Sequence, residues 1–254
     1  MRLSAEKDMN HAWPKVAEPP PFPPDLVHVW RMSLLVDERG LENLLQTLSP
    51  EEKERAAAFK FETHRRHFIA ARGQLRRLLG AYLQRAPESV ALVPGAYGKP
   101  GLARGQGDDA LRFNLSHSDE AALFAFGHGR EVGVDVEKIR DGVDELAIAR
   151  QVFAATDVHQ LEALAGSARR EAFFHAWTRL EALAKVSGQG LGFVPEDGLS
   201  FLRPAPTGIV MAGQGADAAI ACRVVSLQLE SGLKGAVAAE GSDWRIACLE
   251  WERS

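Results

Sequence analysis

Asp135 and Glu137 stand two residues apart in Glu131-Val-Gly-Val-Asp-Val-Glu-Lys138, where they alternate with Val132, Val134 and Val136. Side chains of a strand point to opposite faces with period two, so the valines enter a core while Gly133, Asp135 and Glu137 share the other face. Two carboxylates so spaced can hold one hard divalent cation between them. The same pattern also describes a sheet edge with a wetted acidic face. A third carboxylate comes from Glu171 to Lys185, where Phe173, Trp177, Leu180 and Ala184 form an apolar stripe at helical spacing. Thr178, Glu181 and Lys185 lie on a neighbouring face of that helix. Glu181 and Lys185, one turn apart, are either a solvated ion pair worth a few tenths of a kcal/mol or a third metal ligand beside a cation for phosphate.

Cations come from upstream. The segment from Lys53 to Arg77 is basic, with an apolar stripe of Phe68, Ala71, Leu75, Leu78 and Tyr82 and with Arg65, Arg72 and Arg76 off it. It reads as a solvated face, a nucleic-acid helix or a phosphate-gripping wall. Arginine forks grip phosphate bidentately, which suits the last of these. Tyr97-Gly-Lys-Pro100 is a turn that presents Lys99, held extended by the following proline. Leu111 to Ser118 is a strand running into a polar tip. Phe113 and Leu115 point one way, and Asn114 and Ser116 the other. Ala121 to Phe126 is the apolar return, by hairpin or crossover.

The remaining elements must position these groups. Residues 1–24 are polar and then proline-rich, a tail laid over the domain. Leu26 to Leu35 is the first strand. Asp37 to Leu48 places Leu41, Leu44, Leu45 and Leu48 on one helical face, and Ser49-Pro-Glu-Glu52 starts the next helix with a cap, a proline and two acids. Gly142 to Ala165 reads as helical turns. Strands follow at 199–202, 208–211, 218–229, 233–239 and 244–251. Phe68 to Gly80 and Phe174 to Gly188 echo each other as aromatic-led helices ending at glycine.

The chain has 254 residues, 46% hydrophobic and 25% charged, with a net charge of −4. This is an ordinary globular composition, and its charge argues against non-specific nucleic-acid binding. Cys222 and Cys248 are too few for a disulfide scaffold or a zinc site and are expected reduced. The N-terminus lacks the apolar core of a signal peptide and no apolar run would span a bilayer, so the expected location is cytoplasmic, without membrane attachment.

Together these stretches resemble the signatures of the Sfp-type 4′-phosphopantetheinyl transferase family. Val132 to Glu137 resembles the first signature. Trp177 to Lys185, followed by Gly188-Gln-Gly-Leu191, resembles the second. Ser49 to Phe59, Arg66 to Arg72, Gly98-Lys-Pro100 and Asn114-Leu-Ser-His-Ser118 are similar to further family segments. One position departs: the family commonly has lysine where this chain has Leu180, so that lysine's role is lost or passes to Arg179. The resemblance implies an α+β fold, a pseudo-twofold pair of similar α+β subdomains with the active site in the cleft between them. The halves are drawn at 25–128, for coenzyme A, and 129–254, for the metal site and signature helix. It implies transfer of 4′-phosphopantetheine from coenzyme A to a serine of an apo acyl, peptidyl or aryl carrier protein, releasing adenosine 3′,5′-bisphosphate. Asp135, Glu137 and Glu181 are the implied Mg²⁺ ligands, and these three with Lys185 the implied catalytic set. Arg55, Arg66, Arg72, Lys99, Ser116, His117 and Lys185 are the implied coenzyme A contacts. Two halves in one chain permit a monomer. A metal-dependent phosphoesterase or nuclease using the same carboxylates, or a non-catalytic coenzyme A-binding module, are the alternatives.

Overall fold

The computed structural model describes residues 13–95, 99–105, 109–188, 190, 200–202, 209–211 and 220–252. In chain order, β1 (Lys15–Val16) and β2 (Leu26–Ser33) precede the helices α1 (Glu38–Gln46), α2 (Pro50–Ala57) and α3 (Glu62–Leu83). Then come β3 (Leu92–Pro94), β4 (Pro100–Leu102), β5 (Leu111–Ser118) and β6 (Ala121–His128). The second half runs β7 (Val132–Lys138), α4 (Glu145–Val152), α5 (Ala155–Glu162), α6 (Gly166–Ser187), β8 (Ile209–Met211), β9 (Ile220–Leu227), β10 (Leu233–Glu240) and β11 (Arg245–Trp251).

The two halves repeat one plan. In the first, β2, β6 and β5 lie side by side in that order, all antiparallel; in the second, β7, β10 and β9 do the same. Each half places a helix of 22 residues, α3 or α6, between its first strand and its hairpin. Local sequence starts the two helices that lead into α3. Ser49 caps α2 in a reciprocal capping box with Glu52, and Asp37 caps α1 through the amide of Gly40. The turn from β5 to β6 is a hairpin, tight enough that Asp119 takes φ 53°.

Three apolar layers hold this arrangement. α1 to α3 cover one face of the first sheet around Trp30, Leu44, Leu75, Leu78 and Phe124. α6 covers the second sheet through Phe173, Leu180, Leu183 and Val224. Between the sheets, Val27, Val29, Leu123 and Ala125 meet Val132, Val134, Val136 and Val237. The valines of β7 are thus the joint between the halves, at most 1% exposed.

β5 and β7 are each the edge of their sheet, and the two edges lie together. Asn114 Oδ1 accepts from the Val134 amide at 2.9 Å, and Ser118 Oγ accepts from the Lys138 amide at 3.1 Å. Side chains of one edge therefore satisfy amides that an edge strand would leave open.

Four sequence expectations change. Lys15 and Val16 of the supposed tail pair in parallel with β11 as an edge strand. β11 itself returns to the first sheet beside β2, so the C-terminal strand crosses the division drawn at 128/129. Arg76, placed on the open face of α3, is 2% exposed, because Glu52 and the carbonyls of Pro87 and Val90 take its guanidinium. Phe201 and Leu202 are not in a strand, and Leu199 lies outside the described residues, as do Tyr97 and Gly98.

Candidate active site

Gly133 sets how close α6 comes to β7. A Cβ there would stand 2.0 Å from the Ala182 carbonyl oxygen and 2.8 Å from the Val186 nitrogen. Only a residue without a side chain lets the helix lie on this face, and the face is the one that carries Asp135 and Glu137. The helix brings Glu181 and Lys185 to the same place.

Asp135 is 3% exposed. Its Oδ1 accepts from Lys185 Nζ at 2.6 Å and from Ser116 Oγ at 2.8 Å, while its buried Oδ2 has no partner among the described residues. Glu137 is half-buried, and Ser118 Oγ donates to its Oε2 at 2.8 Å. All three carboxyls are pushed above their ordinary range, first by burial. The Asp135 charge raises Glu137 further, and Asp135 and Glu137 together raise Glu181, whereas Lys185 draws all three down. Three acids that repel one another around a single ammonium form one electrostatic site.

Among the described residues no group of three or more His, Cys, Asp or Glu side chains is placed so that it could hold a metal ion. By its chemistry the donor set suits a hard cation. It is all oxygen, and Asp135 Oδ2 is a buried acceptor that finds no donor among the described residues, an arrangement that native interiors rarely leave unexplained.

The cations are divided between two places. Arg55, His64, His67, Phe68, Arg72 and His117 are among the residues lining a cavity of about 310 Å³ between α2, α3 and β5. Arg55 and Arg72 lie over the Phe68 ring at 5.1 and 5.9 Å from its centre. Burial lowers the Arg72 guanidinium and the nearby Arg55 and Arg76 charges lower it further, against the pull of Glu52 at 3.4 Å. Burial, His67 and Lys185 likewise push His117 below the usual imidazole range. A cavity whose cations repel one another is suited to an anion.

Strand alternation separates two neighbours expected to act together: Ser116 turns to Asp135 and Lys185, and His117 to the cavity. Arg66 is not among the cavity's lining residues; it bonds to Glu38 and to the Val36 carbonyl. Lys99 gives its ammonium to Glu131 Oε2 at 3.1 Å, the Val132 carbonyl at 3.3 Å and the Lys185 carbonyl at 3.0 Å. An ammonium has three donors, so Lys99 ties the start of β7 to the last turn of α6. Arg179 does not replace the missing lysine at the surface, because it is 3% exposed and turned to Ser226 and the charge of Asp157. Leu180 is fully buried in the second core.

His64, His67 and Ser118 were not singled out from sequence. His64 and His67 stand three residues apart on α3, one turn from each other, a signal that counting only Lys and Arg passes over.

Known proteins align with these elements. The description "4'-phosphopantetheinyl transferase superfamily" matches residues 131–247, and "4'-phosphopantetheinyl transferase, N-terminal" matches residues 36–127. The 4'-phosphopantetheinyl transferase HetI of Nostoc sp. is 33% identical over 239 residues, covering 93% of this chain and 97% of its own length. The 4'-phosphopantetheinyl transferase Sfp of Bacillus subtilis is 27% identical, covering 80% of this chain and 87% of its own. AcpT of Escherichia coli O157:H7, also so named, is 37% identical over 44% of this chain and 55% of its own. With Asp135, Glu137, Glu181 and Lys185 inside the matched segment and a relative that similar over nearly its full length, the chain belongs to the 4′-phosphopantetheinyl transferase superfamily.

Proposed function

We propose that this chain moves the 4′-phosphopantetheine group of coenzyme A onto a serine of an apo carrier protein, with Mg²⁺ held by Asp135, Glu137 and Glu181. The observation that carries the reading is Asp135, buried with one oxygen on Lys185 and the other without a partner among the described residues, inside the segment that matches the family. In the reaction the serine oxygen bonds to the phosphorus that carries pantetheine. The bond from that phosphorus to the bridging oxygen breaks, and adenosine 3′,5′-bisphosphate leaves.

Positioning and charge stabilisation do most of the work in phosphoryl transfer. Magnesium, when bound, supplies neutralisation of the pyrophosphate charge. Arg55, Arg72 and His117 grip the nucleotide phosphates. Lys185, oriented by Asp135 and Ser116, offsets the charge gathering on the departing nucleotide. Glu181 or Glu137, held above the ordinary carboxylate range by burial and by neighbouring acids, accepts the serine proton. Ser118 orients Glu137, and Lys99 fixes the helix end that carries Lys185. Residues of 25–128 supply the cationic wall and those of 129–244 the acidic site, so one chain suffices as a monomer. Cys222 and Cys248, buried and unpaired, agree with a reducing, cytoplasmic location. No helix among the described residues is long and apolar enough to cross a membrane.

The test is incubation with coenzyme A, Mg²⁺ and apo acyl, peptidyl and aryl carriers, read by mass spectrometry. The phosphopantetheine mass appears on at least one carrier. Asp135→Asn, nearly the same shape, lowers turnover by at least about 10³-fold while the far-ultraviolet spectrum stays native. No modified carrier, with a known transferase succeeding alongside, refutes the activity. Nucleotide release without any carrier would favour a phosphoesterase.

A further inference from the structure

His67 and His117 come from different elements, α3 and β5, yet line the same cavity with Arg55, Arg72 and His64. They are close enough that His67 depresses the ionisation of His117. The charged groups around them are known from each packed element: Arg55 on α2, His64 and Arg72 on α3, and Lys185 reaching from α6. Among the described residues the cavity's lining includes no carboxylate. The carboxylate beside it, Glu52, stands against Arg72 and is also bonded to Arg76. Without an anion, then, nothing in the lining rewards protonation of His117, and His67 and Lys185 oppose it.

We propose that His67 is a further phosphate-binding residue, and that it forms with His117 an imidazole pair which takes up a proton as it grips the phosphate monoester of coenzyme A. This deepens the function proposed above and rests on it. The choice of a monoester follows from charge. A monoester carries between one and two negative charges near neutrality, because its second ionisation lies near pH 6. Each phosphate of a pyrophosphate diester carries a single fixed charge. Two fixed guanidiniums and two titratable imidazoles match the dianion, and a phosphate among them raises each imidazole toward its protonated form. As the pH rises through the pKa values of the bound imidazoles, the grip weakens. As it falls below about 6 the phosphate itself becomes a monoanion and the gain ends.

Titration calorimetry tests this on the full chain without carrier. Coenzyme A and 3′-dephospho-coenzyme A are each titrated near pH 7.5 in two buffers of different ionisation enthalpy, which counts the protons taken up. Coenzyme A binds with net uptake of about half a proton or more, and the dephospho compound with none. His67→Gln weakens coenzyme A about tenfold near pH 7 and leaves the dephospho compound unchanged. His67→Arg supplies a fixed charge; it keeps the affinity, lowers the uptake and flattens the pH dependence of Kd. His67 is only half-buried, so neither variant threatens the fold. Equal heats in both buffers for wild type, or His67→Arg with unchanged uptake, overturn the proposal and leave the transferase reading standing. A chain that binds neither compound, while carrying native secondary structure, overturns that reading and this inference with it.

Discussion

Asp135 is the residue on which the chemistry turns, and its two oxygens divide the work. One is committed to Lys185 and Ser116, and the other has no donor among the described residues. The alternation of valine with Gly133, Asp135 and Glu137 made this face legible from sequence, because period two leaves no other assignment. Burial was not legible, since nothing in seven residues says that a second helix will cover the acidic side. Leu180 shows the same limit in reverse. Its departure from the family's lysine reads as a lost function at the surface, yet the side chain is fully buried against the second sheet. Leu180→Lys should therefore damage the fold before it gains a contact. An ammonium forced into that core, or a helix end displaced to free it, costs on the order of 3 kcal/mol. Urea denaturation checks this; a variant as stable as wild type would mean that the site opens readily to water.

At the scale of elements, the site exists because β5, β7 and α6 are held at fixed separations. Gly133 fixes the distance from β7 to α6. Gly133→Ala puts a methyl 2.0 Å from a backbone oxygen that belongs to a rigid helix, so the helix must retreat. The expected cost is about 2–4 kcal/mol, with turnover falling more steeply than coenzyme A affinity because Lys185 moves away from Asp135. Paired measurement of kcat and of coenzyme A Kd separates the two effects. On the other side, Asn114, Ser116 and Ser118 stand at every second position of β5 and reach β7 one after another. Ser118 both donates to Glu137 and accepts from the Lys138 amide. Ser118→Ala should weaken Mg²⁺ binding about three- to tenfold, seen by calorimetry with the metal alone, and Ser118→Thr should restore most of it. Equal Mg²⁺ affinity in the alanine variant would remove Ser118 from this role. The sequence marked the polar face of β5 but offered no partner for it, because edge-to-edge contact between two sheets leaves no periodic trace.

Across the whole molecule, the internal echo of two aromatic-led helices anticipated a duplicated plan, and the matching strand orders β2-β6-β5 and β7-β10-β9 bear it out. What sequence order hid was the last strand, which leaves its own half to sit between β1 and β2. Long-range pairing of that kind depends on the edge that β2 leaves open in the first sheet, a property of the assembled sheet. It also makes global stability answer to groups buried in the first sheet. His28 on β2 is fully buried, with Nδ1 2.6 Å from the Tyr82 hydroxyl, which also accepts from Trp30 Nε1 at 2.9 Å. Its Nε2 has no partner among the described residues, and burial holds the imidazole down to about 4. The unfolded chain binds a proton to this ring near pH 6.5, whereas the folded one does not until about 4. Between those limits the unfolded state carries more protons, so stability rises with pH; it is complete above about 6.5 and drains away as the pH falls toward 4. The loss over that window is on the order of 3 kcal/mol for a ring without solvent access. Urea midpoints taken at intervals from about pH 7.5 to about pH 4.5 should follow this slope. His28→Asn is expected to be less stable near neutrality, since it loses packing under Phe22, yet its stability should fall less over the same acid range. A variant whose acid slope matched that of wild type would assign the loss to other groups, His175 first among them because burial depresses it to a similar value.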